Sequence, residues 1–137
     1  MSVLAGFLQP SPMEETEEYI VSERFRGEDG KVLPFKLRKL DQATANALRK
    51  KCQTTKTVRG QIVERTDEAK YTSLLIIESV IEPNFKDKEM CDYYKLIDPA
   101  DVPGRMLSVG EYGNLSSEIL RFNDFDTPEK IEEEAKN

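Results

Sequence analysis

Apolar and polar positions alternate with a period of two near the start of the chain, where Tyr19, Val21, Glu23 and Phe25 interleave with Ile20, Ser22 and Arg24. Gly27-Glu28-Asp29-Gly30 then gives a turn signal, and Lys31 to Leu40 resumes with Phe35 and Leu37 among alternating basic residues. Two such runs around a glycine turn predict a β-hairpin. Lys36, Arg38 and Arg24 take its outward positions, where charge keeps an edge strand from pairing promiscuously. From Asp41 the period lengthens. Asp41 supplies an N-cap, and Gln42 to Gln53 places Ala45, Leu48 and Cys52 on one helical face. Thr54 to Thr66, rich in β-branched residues and interrupted by Gly60, reads either as a loop or as a second small strand pair.

Asp67 caps a helix that carries Ala69, Tyr71, Leu74, Leu75, Ile76, Ile77, Val80 and Ile81, apolar nearly all round, until Pro83 stops it. That is the pattern of a central core helix. Asp87 starts a further helix with Met90, Tyr93, Tyr94 and Ile97 on one side, and Asp98-Pro99 closes it and opens another. Pro103 and Gly104 keep this next helix short. Tyr112, Leu115, Ile119 and Phe122 mark a last amphipathic helix, a stripe whose plainest reading is core. The fold class is therefore α+β, an N-terminal β-hairpin followed by a mainly helical domain of four to five short helices.

A chain of 137 residues suits one core and not two. Residues 1–17 read as a flexible N-terminal arm with Leu4, Phe7 and Leu8 at helical spacing, 18–125 as a single globular domain, and 126–137 as an acidic C-terminal tail. The longest apolar run, Leu74 to Ile77, falls far short of the roughly 20 residues that cross a bilayer. With no basic leader or apolar stretch of secretory length at its start, the chain is expected to stay in the cytoplasm. Cys52 and Cys91 stand apart in separate helices and read as free thiols.

Charge changes the picture more than size does. From Lys31 to Arg65 ten basic residues face two acids, a net of +8, so the remainder carries −14 within a total of −6. Such a block suits phosphates, an acidic protein or the chain's own acidic ends. Nucleic acid is the weakest of these, because no glycine-and-aromatic RNA signature or helix-turn-helix accompanies the basic block. The sequence holds no histidine, which removes the commonest general base and metal ligand near neutral pH. It also has no phosphate-cradling glycine loop or activated nucleophile, so no catalytic residue, metal site or cofactor is assigned.

Read in order, Tyr19-Ile20-Val21-Ser22-Glu23-Arg24-Phe25, Gly30-Lys31, Leu48-Arg49-Lys50-Lys51-Cys52, Ser79-Val80-Ile81-Glu82-Pro83-Asn84-Phe85, Met106-Leu107 and Gly110-Glu111-Tyr112 resemble the XkdN-like tail assembly chaperones of long-tailed bacteriophages and prophages of Gram-positive bacteria. The likeness spans roughly residues 18–125. It departs where Pro34-Phe35 stands in place of a tryptophan in the second strand. The resemblance implies a non-enzymatic chaperone, acting in the host cytoplasm and absent from the mature virion. Its implied partners are the tape measure protein, the tail tube protein and a frameshifted longer form of itself. On this reading Tyr94, Met106, Tyr112 and Leu115 are candidates for a partner-binding groove. Arg49, Lys50, Lys51 and Lys56 are candidates for charge-mediated self-association into a homo-oligomer. Two alternatives stand beside it: a structural minor tail protein retained in the virion, and a small nucleic-acid-binding regulator using the basic segment 31–65.

Overall fold

The computed structural model describes residues 3–9 and 16–123. In chain order the elements are α1 (Val3–Leu8), β1 (Thr16–Tyr19), β2 (Phe35–Arg38), α2 (Gln42–Lys51), β3 (Gln53–Val58), β4 (Gln61–Thr66), α3 (Glu68–Ser79), β5 (Val80–Glu82), α4 (Lys88–Tyr93), a 3-10 turn at Pro99–Asp101, α5 (Val102–Met106) and α6 (Val109–Phe122). The α+β class with an N-terminal hairpin and several helices is as the pattern predicts. The acidic tail 126–137 lies outside the described residues.

The hairpin pairs over a different stretch from the one the alternation marks. β1 runs antiparallel to β2 with Tyr19 opposite Phe35 and Thr16 opposite Arg38. The predicted glycine turn is present, with the Gly27 N–H on the Lys31 carbonyl at 2.9 Å and the Gly30 N–H on the Gly27 carbonyl at 3.0 Å. Ile20 to Arg24, however, leaves the ladder, and pairing resumes only near the turn, where the Phe25 carbonyl accepts from the Leu33 N–H at 2.8 Å and Arg26 bridges to Val32. Val21 and Phe25 are drawn onto the core, with the Phe25 ring 5.8 Å from that of Phe35.

The central helix ends at Ser79 and not at Pro83. Val80–Glu82 becomes β5 and pairs antiparallel with the far side of β2, Leu37 opposite Val80 and Lys36 opposite Glu82, giving the sheet order β1-β2-β5. Two forces favour the switch. Pro83 disfavours α geometry at Glu82, and a strand there satisfies backbone groups that β2 would otherwise leave unpaired. The open question at Thr54–Thr66 resolves as a strand pair, β3 with β4, closed by Arg59 and Gly60 at φ 52° and 79°. Positive φ at both positions is the turn whose twist matches a two-residue hairpin.

Local hydrogen bonds set the helix starts. The Asp41, Asp67, Asp87 and Asp98 carboxylates accept from Thr44 N at 2.8 Å, Lys70 N at 3.1 Å, Glu89 N at 2.8 Å and Ala100 N at 2.9 Å. Ser108 and Glu111 form a reciprocal capping box on α6. The core lies between the sheet and the helices: Leu37, Phe85, Ile76, Val102 and Leu115 are essentially without solvent contact.

Both ends of α6 are pinned to the N-terminal segment. At its start the Arg24 guanidinium donates to Glu111 through Nη2 at 2.6 Å and Nε at 3.1 Å, and to the Met106 carbonyl at 2.7 Å. At its end Arg121 pairs with Glu17 of β1 and with Glu118. Arg24 first, then the Ser108 N–H and the Ser22 hydroxyl, hold the Glu111 carboxyl well below the usual range. Burial pushes Glu17 upward, while Arg121 draws Glu118 down.

Two predictions follow from these contacts. Phe85→Ala empties the centre of the core and should lower unfolding stability by about 3–5 kcal/mol in urea titrations. Glu111→Gln keeps the cap's hydrogen-bonding shape but loses the charge. Because the folded carboxyl is held ionised below its ordinary value of 4.5, its contribution is complete above that pH and fades below it, where the unfolded chain takes up the proton first. The variant should therefore be less stable than the parent at pH 7, with the gap narrowing as pH falls below about 4.5. Thermal melts across pH measure this directly.

Candidate partner-binding surface

The four candidate groove residues separate into two groups. The Arg24 guanidinium donates to the Met106 carbonyl at 2.7 Å, with the Tyr94 phenol within longer electrostatic range of it. Tyr94, half-buried beside α4, stacks edge-on against Tyr93 with ring centroids 4.9 Å apart, and burial pushes its phenol upward. Tyr112 turns the other way, its hydroxyl 3.0 Å from Ser73 Oγ, and so ties α6 to α3. Leu115 is 0% exposed and belongs wholly to the core, with no surface to offer a partner in this fold. The stripe it shares with Ile119 and Phe122 is a packing stripe.

Met106 opens onto an apolar groove of about 230 Å³ lined also by Phe25, Leu33, Pro34, Phe35, Glu82 and Pro83. Leu33 is half-exposed at this groove. The Arg24 guanidinium stacks 4.5 Å above the Phe25 ring, so the arginine that pins α6 also fixes one wall. Spacing along the chain could not reveal this groove, since it is assembled from the hairpin, the end of β5 and α5. The only signal was that Pro34-Phe35 and Glu82-Pro83 put rigid apolar residues beside strands that pair.

The basic candidates sit on a second surface. Arg49 is half-buried, 3.3 Å from Glu68 and 4.3 Å above the Tyr71 ring. Lys50, Lys51 and Lys56 are exposed, and the Lys51 carbonyl accepts from Lys70 Nζ at 3.2 Å. Among the described residues no group of acidic, cysteine or histidine side chains could hold a metal ion, and no helix is long and apolar enough to cross a membrane. Both cysteines are free and buried. Burial pushes the Cys52 thiol upward, away from nucleophilic reactivity.

Against this geometry stand the chain's likenesses to known proteins. A family model described as phage XkdN-like tail assembly chaperone protein matches residues 4–136. Protein XkdN of the phage-like element PBSX of Bacillus subtilis (strain 168) is 38% identical over 137 residues, covering 96% of this chain and 93% of that protein. YqbN of the same strain is 37% identical over 137 residues, covering 96% of this chain and 92% of its own. The crystal structure of YqbN has the same fold at a TM-score of 0.73, with 30% identity over 88% of this chain and 95% of that one. Family match, sequence identity and fold thus agree over nearly the full length, and the chain belongs to the XkdN-like phage tail assembly chaperone family.

Proposed function

We propose that this protein binds the phage tape measure protein, holds it soluble, and assists assembly of the tail tube around it without catalysing a reaction. The observation that carries the reading is the open apolar groove at Met106 in a member of a tail assembly chaperone family. A long, helical, aggregation-prone partner offers apolar stripes, and a groove of this kind accepts such a stripe through side chains spaced i, i+3, i+4 and i+7. Methionine suits the task because its unbranched, polarisable side chain adapts to irregular partners. Tyr94 and Met106, whose carbonyl Arg24 holds, form the working edge; Tyr112 supports it through Ser73, and Leu115 acts only through the core.

The working domain starts at β1, because Thr16 and Glu17 of the arm expected over 1–17 pair with β2, and the residues ahead of β1 and the acidic tail 126–137 flank it. The basic cluster of Arg49, Lys50, Lys51 and Lys56 drives self-association into a homo-oligomer, which would present several grooves along one extended partner. The tail tube protein and a frameshifted longer form of the chain are the further partners. The protein works in the host cytoplasm and leaves before the virion matures.

Co-expression with the protein encoded by the long helical reading frame downstream tests the proposal. The expected result is co-purification and a soluble partner, with Met106→Asp weakening the complex by roughly tenfold or more because it adds a second carboxylate to a groove already lined by Glu82. A folded chain that leaves a verified partner insoluble would overturn the reading in favour of a structural tail protein. Co-purifying nucleic acid in its place would favour the regulator.

A further inference from the structure

The β3–β4 hairpin is ordered without burying anything of its own. Every residue of β3 is exposed, and in β4 only Val63 and Thr66 are partly covered. Val58 and Ile62, beside the turn, are 48% and 75% exposed. Two-stranded hairpins are marginal in water unless something packs on them. This one is nevertheless strongly specified, with a positive-φ turn and β-branched residues at Thr54, Thr55, Thr57, Val58, Ile62 and Val63. Such a hairpin is what a surface completed by another molecule looks like.

Its register states the chemistry of the missing surface. Thr54 lies opposite Arg65, Lys56 opposite Val63, and Val58 opposite Gln61, so these six share one face. That face is cationic along its length and apolar at its tip. Lys50 and Lys51 stand at the root and Arg59 in the turn, and none of these five cations forms an ion pair with a described residue.

A complementary surface exists at the other end of the molecule. The hairpin is rooted at the N-terminus of α3, where the Asp67 N–H donates to the Cys52 carbonyl at 2.8 Å. Beyond the C-terminus of α3, a shallow concavity of about 330 Å³ is lined by Asn84, Asp87, Glu89, Met90 and Tyr93. From Asp87 to Asp101 five carboxylates face only Lys88 and Lys95. Tyr93 is 78% exposed beside it, and Ile97 is fully exposed. The 12 residues of α3 set the roots of the two surfaces about 18 Å apart along its axis, and the hairpin strands, Tyr93 and Ile97 are all left exposed, open to a second copy.

We propose that the β3–β4 hairpin of one copy docks on the acidic concavity around Glu89, Asp92 and Tyr93 of the next. Lys56 and Arg65 meet the carboxylates, while Val58 on the same face covers Tyr93 and Ile97. The contact is heterologous, so repetition gives a ring or an open chain of copies with one direction. It deepens the self-association reading above by naming both halves of the junction, and it does not depend on tape measure binding.

Sedimentation velocity of the full chain, over a wide concentration range at about 0.05 M and about 0.5 M NaCl, spans the screening lengths that matter here. The parent should form species larger than a monomer at low salt that shrink at high salt. Lys56→Glu with Arg65→Glu, and separately Glu89→Lys with Asp92→Lys, should each weaken association by roughly tenfold or more, since like charges then face each other. Mixing the two double variants should restore it, because reversed hairpin meets reversed patch and native meets native. Val58→Ser gives an uncharged check on the same face, and circular dichroism melts confirm folding of every variant. Folded charge variants that associate like the parent, or a mixture that fails to recover, would overturn the docking and leave self-association standing. A parent that is monomeric at every concentration and both salts would overturn both.

Discussion

Strand β2 is the element on which the rest of the structure depends. Phe35 and Leu37, 2% and 0% exposed, point into the core, while the strand pairs with β1 on one side and, through Lys36 and Leu37, with β5 on the other. A central strand with both edges occupied cannot shift register without expelling its buried residues, because a slip of one position reverses every side chain. The ring of Phe85 stands 6.2 Å from that of Phe35, which carries this constraint onward into the loop after β5. Fixing β2 therefore fixes where α3 must end and where the groove opens.

The two arginine contacts at the ends of α6 act on the same problem from outside. Residues 17 and 24 are close in sequence yet are bound to positions 121 and 111, so the N-terminal segment lies along the whole helix. Both pairs are partly exposed, and pairs of that kind contribute modestly to stability. Their value is geometric. Arg24 holds the Met106 carbonyl and the Phe25 ring together, and so shapes a groove wall as well as closing the helix start.

Features governed by neighbours in sequence were legible from sequence. The four aspartate caps lie just ahead of helical periodicity, and each accepts its backbone donor as that pattern implies. Features governed by distant partners were not. Val80 and Ile81 follow Ile76 and Ile77 at helical spacing, and pairing with the distant edge of β2 helps turn them into a strand. Ile20 to Phe25 alternates like a strand, but up to Arg24 its alternation serves contact with the core and not a ladder. Leu115 shows the same limit at the candidate site, since a helical stripe looks alike whether it faces the interior or a partner. The groove combines residues from 25 to 106, and no local period reports such an assembly.

The separation of the β3–β4 hairpin from the core carries an evolutionary consequence. Cys52 at its root is 1% exposed, while the strands beyond it are open to solvent. Substitutions along those strands meet few packing demands, so their surface chemistry can drift or be selected with little loss of foldability. Lineages infecting different hosts could diverge at this projection while retaining the interior that makes them recognisable kin.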